Sequence, residues 1–167
     1  MGAQMRTDKQ AAIEECDKLL EWCLGDRHAA DFLARVFEVS QIADDFVDRD
    51  VPADWVNSAR MLRLLHLCLV DIPANPFYIR HSTWFTPLLS TCCMIWEATE
   101  DWRQSEEPDT RMFAYTYREI GEQIVFMAAR LIGGLDHARA VIRDVHAFYH
   151  VHRAEAFDKW EKEQGHG

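Results

Sequence analysis

The chain has 167 residues, 49% of them hydrophobic, with 28 acidic against 18 basic side chains and a formal charge of −10. The apolar content excludes a disordered chain, and the length suits one hydrophobic core. The acidic balance, with no basic stripe or tail, excludes nucleic-acid binding by phosphate neutralisation.

Only 7 Gly and 5 Pro interrupt the chain, so the elements between them should be long, which favours helices. Thr7 and Gln10 form a T-x-x-Q capping box, and a helix should follow to about Leu24, ended by Gly25. The second helix is expected from about His28 to Asp48, with Phe32, Val36, Val39, Ala43 and Phe46 on its buried side. Asp50 and Pro52 then read as a stop and a new start. The third helix should end near Val70, before Pro73, and Pro73-Ala74-Asn75-Pro76 should be a connection.

A fourth helix is expected between Phe77 and Trp102, interrupted at Pro87. Ser105 to Asp109 reads as a polar loop. A fifth helix should run from about Thr110 to Ile132 and end at Gly133-Gly134, and a last from about Asp136 to Glu163. The expected fold is therefore all-α, a single-domain bundle of about six helices over 1–167, with flexible ends at 1–6 and 164–167.

The five cysteines, Cys16, Cys23, Cys68, Cys92 and Cys93, are odd in number and form no C-x-x-C pair. All lie among apolar residues of expected helices, so they read as buried free thiols of a cytoplasmic protein. No secretory signal opens the sequence, and the run Met61–Val70 is broken by Arg63 and His66, so no membrane span is expected. The six tryptophans read as core, or as a homodimer surface. No P-loop, G-x-G-x-x-G, G-x-S-x-G or H-E-x-x-H motif is present.

The sharpest chemical pattern is Asp44-Asp45-Phe46-Val47-Asp48. At about 100° per residue, Asp44 and Asp48 share a helical face near Leu33 and Phe37, with Gln41 close to the same line and Asp45 turned outward. Carboxylates so placed can hold Mg²⁺, which takes oxygen ligands and substrate phosphates. A cation would also offset acidic crowding at a helix C-terminus, which the dipole disfavours by about 0.3–1 kcal/mol per charge. The other reading is a solvated helix end capped by Asp50. A further acidic patch, Glu97, Glu100 and Asp101, lies on the fourth helix.

The D-D-x-x-D segment, behind Phe32-Leu33-x-x-Val36-Phe37, resembles the first aspartate-rich motif of all-α isoprenoid (terpenoid) synthases. The resemblance implies an isoprenoid-synthase-like fold, with Asp44 and Asp48 holding Mg²⁺ on a phosphorylated or diphosphate small molecule. Glu97, Glu100 or Asp101 would then stand as the opposing shell, with Arg35, Arg60, Arg63 or Arg80 on the phosphate. The chain is shorter than those synthases and has no second D-D-x-x-D. An all-α pyrophosphohydrolase is a related option, but its E-x-x-E plus E-x-x-D pattern is not cleanly present.

The segment Ile42–Asp48, the turn Asn75-Pro76-Phe77-Tyr78 with Arg80-His81, and Ile132-Gly133-Gly134 also resemble small phage and prophage proteins. That resemblance implies no activity. On the last helix His146 and His150, spaced i, i+4, form a second metal-ligand pair without an evident third ligand. Glu119, Gln123 and Arg130 line one edge of the fifth helix, and Arg118 and Glu122 read as a surface pair. Two functions follow as expectations. One is a non-enzymatic helical protein acting by association with itself or a host partner. The other is Mg²⁺-dependent binding or turnover of a phosphorylated ligand.

Overall fold

The computed structural model describes residues 13–47, 55–150, 157, 159, 160 and 162. Every element among them is helical, and no strand occurs among the described residues. The chain forms two compact units, Met1–Ser82 and Thr83–Gly167. The expected flexible ends, 1–6 and 164–167, lie outside the described residues, as does the Thr7–Gln10 capping box.

In the first unit, helix α1 (13–22) ends in a left-handed turn. Gly25 N–H bonds Leu20 O at 2.9 Å and Leu24 N–H bonds Glu21 O at 3.0 Å, the double closure of a Schellman motif. Leu24, at φ 49°, holds the left-handed position ahead of Gly25. Asp26 then caps α2 (Arg27–Val47), its Oδ1 accepting from His28 N–H at 2.9 Å and Ala29 N–H at 3.1 Å.

The buried side of α2 is Ala29, Phe32, Leu33, Val36 and Ile42, whereas Val39, Ala43 and Phe46 are only half-buried. The expected stripe is therefore turned by about one residue toward Leu33. Helix α3 (Trp55–His66) continues into a π-helical turn, Leu67–Asp71, and a single α turn, α4 (Ile72–Ala74). Helical structure thus runs through Pro73, where an end was expected. The wide turn comes just before Pro73, which has no N–H to give and whose ring would crowd the Leu69 carbonyl in a regular helix.

Asn75, 4% exposed, is extended and starts the next helix, α5 (Pro76–Trp102). Its Oδ1 accepts from Phe77 N–H at 2.9 Å and Tyr78 N–H at 3.2 Å. Its Nδ2 donates to His28 O at 3.0 Å and Asp31 Oδ2 at 3.2 Å, tying the turn to α2. Phe32 packs on Phe77 and Tyr78, with ring centroids at 6.1 and 5.6 Å. Helix α5 breaks at His81 (φ −119°, ψ 16°) and not at the expected Pro87.

In the second unit the remainder of α5 buries Phe85, Cys92 and Thr99 at a seven-residue interval. The Thr99 hydroxyl is satisfied by donating to Trp96 O at 2.7 Å. Helix α6 (Pro108–Tyr117) opens with Pro108, which suits a first turn. Buried Arg111 pins the loop before it, donating to Ser105 O at 2.9 Å and Glu106 O at 3.0 Å. A 3₁₀ turn, Arg118–Gly121, then leads to α7 (Glu122–Tyr149).

Helix α7 is two arms joined at Gly134, whose φ 79° and ψ −171° only glycine adopts readily. A Cβ on Gly133 would stand 2.5–2.7 Å from the His137 side chain. The break expected at Gly133-Gly134 is therefore present. A straight helix of this length would span about 42 Å, yet His150 Nε2 lies 2.5 Å from Glu122 Oε1. The second arm accordingly turns back along the first. Ile124, Val125, Ala128 and Ala129 on one arm and Ala138, Val141 and Val145 on the other are buried.

Candidate functional site

Ion pairs join α3 and its π turn to α2. Arg63 grips Glu38 with a two-pronged contact, Nε to Oε1 and Nη2 to Oε2, both at 2.7 Å. Its Nη1 reaches Asp71 Oδ2 at 3.0 Å, and Arg35 Nη1 reaches the same oxygen at 2.9 Å. Arg35 Nε also donates to Asp31 at 3.1 Å, and His66 Nδ1 lies 3.2 Å from Asp71 Oδ1. Nearer the end of α2, Arg60 pairs with Asp45.

These contacts set the charge states. Burial pushes Asp71 upward, but the His66 hydrogen bond, the Arg35 charge and the Arg63 hydrogen bond outweigh it and hold the carboxyl below its usual range. The Glu38 fork and Asp71 hold the Arg63 guanidinium firmly charged, as Asp31 and Asp71 do for Arg35.

With its charged side spent on α2, α3 turns its apolar side outward. Met61, Leu62, Leu65, Leu69 and Val70 are all exposed, Leu62 and Leu69 by 67% and 71%. None of the described side chains of α3 itself is buried; the segment is anchored below by Leu67 and Ile72. The residues of this stretch that are exposed as a whole are apolar or small apart from His66, while the part-exposed Arg60 and Arg63 side chains are held in ion pairs. An amphipathic helix ordinarily buries its apolar stripe, so this face is the candidate functional surface. Sequence reasoning missed it, because the run Met61–Val70 reads equally well as a buried stripe.

The residues of the aspartate motif are placed as follows. Asp44 is half-buried and Gln41 exposed on α2. Asp45, expected to face solvent, is 38% exposed and held by Arg60. Asp48 lies outside the described residues. Arg35 is committed to Asp31 and Asp71, while Arg80 is exposed. In the second unit Glu97 and Asp101 are exposed, and Glu100 pairs with Arg103 at 3.0 Å.

His146 is exposed and its ring centroid stands 5.2 Å from that of His150. His150 is drawn instead to Glu122, and one ligand atom each of Glu119, Glu122 and His150 lies within 4.8 Å of the others. The two carboxylates are partners for His150 that sequence reasoning did not assign.

Of the five cysteines, Cys23 and Cys92 are buried while Cys16, Cys68 and Cys93 are exposed, which corrects the expectation that all are buried. Burial, then the Asp26 charge, pushes the Cys23 thiol up to about 12, and burial raises Cys92. Trp22 is buried but Trp84 is 57% exposed, so the tryptophans are not uniformly core. No helix among the described residues is long and apolar enough to cross a membrane. Comparison with protein-family models, curated proteins and solved structures returned no match.

Proposed function

We propose that this chain acts by association, with the outward face of α3 and its π turn as the contact surface and a second copy of the chain as the partner. The observation that carries the reading is the inverted docking of this segment. Arg60, Arg63 and Asp71 bind α2, and Leu62, Leu65 and Leu69 are left in water. Burying one such leucine is worth about 1.5–3 kcal/mol, so the exposed stripe is a substantial unmet driving force.

A second copy fits because the face is apolar and nearly uncharged on a chain of net charge −10. The charged groups that border it, Arg60 and Arg63, are already paired. Two such faces, related by a two-fold axis, are complementary to each other. The rim charges are already paired, Arg63 with Glu38 of α2 and with Asp71 of the π turn, and do not oppose the approach.

Sedimentation velocity over a concentration series tests this. The parent should pass from the 19.5 kDa chain to a species of twice that mass. The Leu62→Glu/Leu69→Glu variant should stay monomeric at every concentration. A parent that remains a monomer throughout, or a variant that associates like the parent, overturns the proposal. Unchanged helical circular dichroism shows that the variant is folded.

A further inference from the structure

We infer that Glu119, Glu122 and His150 form a binding site for a divalent transition-metal ion. The site lies in the second unit and is independent of the α3 face. Its three ligands come from the 3₁₀ turn, the start of α7 and the end of α7. Glu119 stands on the 3₁₀ turn Arg118–Gly121 and Glu122 begins α7. In a 3₁₀ turn, side chains three residues apart eclipse one another, which stacks Glu119 beside Glu122. The reversal at Gly134 then returns His150, at the far end of α7, to the same place.

The donor atoms stand near the spacing that a shared ion requires, without yet matching it. They lie within 4.8 Å of one another, and two ligands about 2.1 Å from one metal stand roughly 3–4 Å apart. Small side-chain rotations close the difference. His150 and Glu122 are enclosed, with side chains 8% and 16% exposed, and Glu119 is the exposed member of the three.

The donor set selects the ion. Mg²⁺ and Ca²⁺ take oxygen ligands, whereas an imidazole nitrogen beside carboxylates suits Mn²⁺, Fe²⁺, Co²⁺ or Zn²⁺. An ion of charge +2 neutralises both carboxylates, and three protein ligands leave coordination positions for water or a small anionic ligand. His146 is not one of the three, so the ion is assigned to His150 with the two glutamates and not to the histidine pair.

The test uses the full chain after treatment with a chelator, and Mn²⁺ alone as the probe. Thiols hold Mn²⁺ poorly, which keeps exposed Cys16, Cys68 and Cys93 out of the measurement. Calorimetry and the loss of the free Mn²⁺ electron paramagnetic resonance signal should report one ion per chain, not displaced by equimolar Mg²⁺. Affinity should fall by about tenfold or more in Glu122→Gln and in His150→Ala, and stay unchanged in His146→Ala. Glu119→Gln is a milder second variant, and it should also weaken binding. Melting of each metal-free variant establishes that it folds. No Mn²⁺ binding by the parent, parent-like binding by folded Glu119→Gln and Glu122→Gln, or equal preference for Mg²⁺ overturns the assignment.

Discussion

At Asn75 one buried amide holds the α2–α5 junction, accepting two α5 N–H groups and donating to His28 O and Asp31. Replacing it with Ala would strand the two N–H groups, so Asn75→Ala should destabilise the protein by about 2–4 kcal/mol in urea unfolding. Asn75→Asp keeps the cap but sets a carboxylate against Asp31, and should lose less. The importance of Asn75 was half legible, because Asn before Pro marks a turn and a helix start. Its reach back to α2 was not, since that contact joins residues far apart in sequence. The cysteines divide in the same way. Hydrophobic neighbours along the chain do not say which face a helix turns inward. A thiol reagent should modify three thiols in the native protein and all five after unfolding, Cys23 and Cys92 being the slow pair.

Asp71 gives the residue scale a pH dependence. Its folded carboxyl is held below the usual value of 3.8. A depressed carboxylate stabilises the fold above that value and loses the contribution as pH falls through its folded pKa. Asp71→Asn should therefore be less stable than the parent at neutral pH, and the gap should narrow as unfolding is measured from pH 5 down to pH 2. A gap that does not change with pH would place the effect in packing.

Among the elements, those bounded by strong punctuation were readable. Gly25 follows α1, Pro108 opens α6, and Gly133-Gly134 divides α7. Where punctuation met a competing contact it misled. Pro73 is accommodated by a π turn, and the break in α5 falls at His81 while Pro87 stays helical. The 3₁₀ turn at Arg118–Gly121 has no breaker residue before Gly121, so it had no sequence signal and the fifth helix read as continuous. Gly134→Ala should cost about 1–3 kcal/mol, because alanine resists φ 79°. Gly121→Ala, at an ordinary φ of −55° with open space around its Cβ position, should be neutral or slightly stabilising. Equal losses at the two positions would contradict the hairpin at Gly134.

For the whole molecule, the all-α class was legible from composition and spacing, and the proposed contact face and metal site were not. Helical periodicity identifies an apolar side on α3, but which side faces α2 depends on Arg63 meeting Glu38 across the fold. Glu122 and His150 stand about three and four turns from Gly134 in opposite directions. Their meeting was implicit in the hairpin, yet single-helix spacing pointed to His146. The aspartate motif drew attention because it is a compact local pattern, and local patterns are what a sequence displays best.

Association through the α3 face is tested most directly by amide hydrogen exchange, read by mass spectrometry at low and high protein concentration. Peptides covering Met61–Val70 should become more protected as concentration rises, while α1 and α7 do not change. Equal exchange of Met61–Val70 at both concentrations, across a range where the protein is folded, would contradict it.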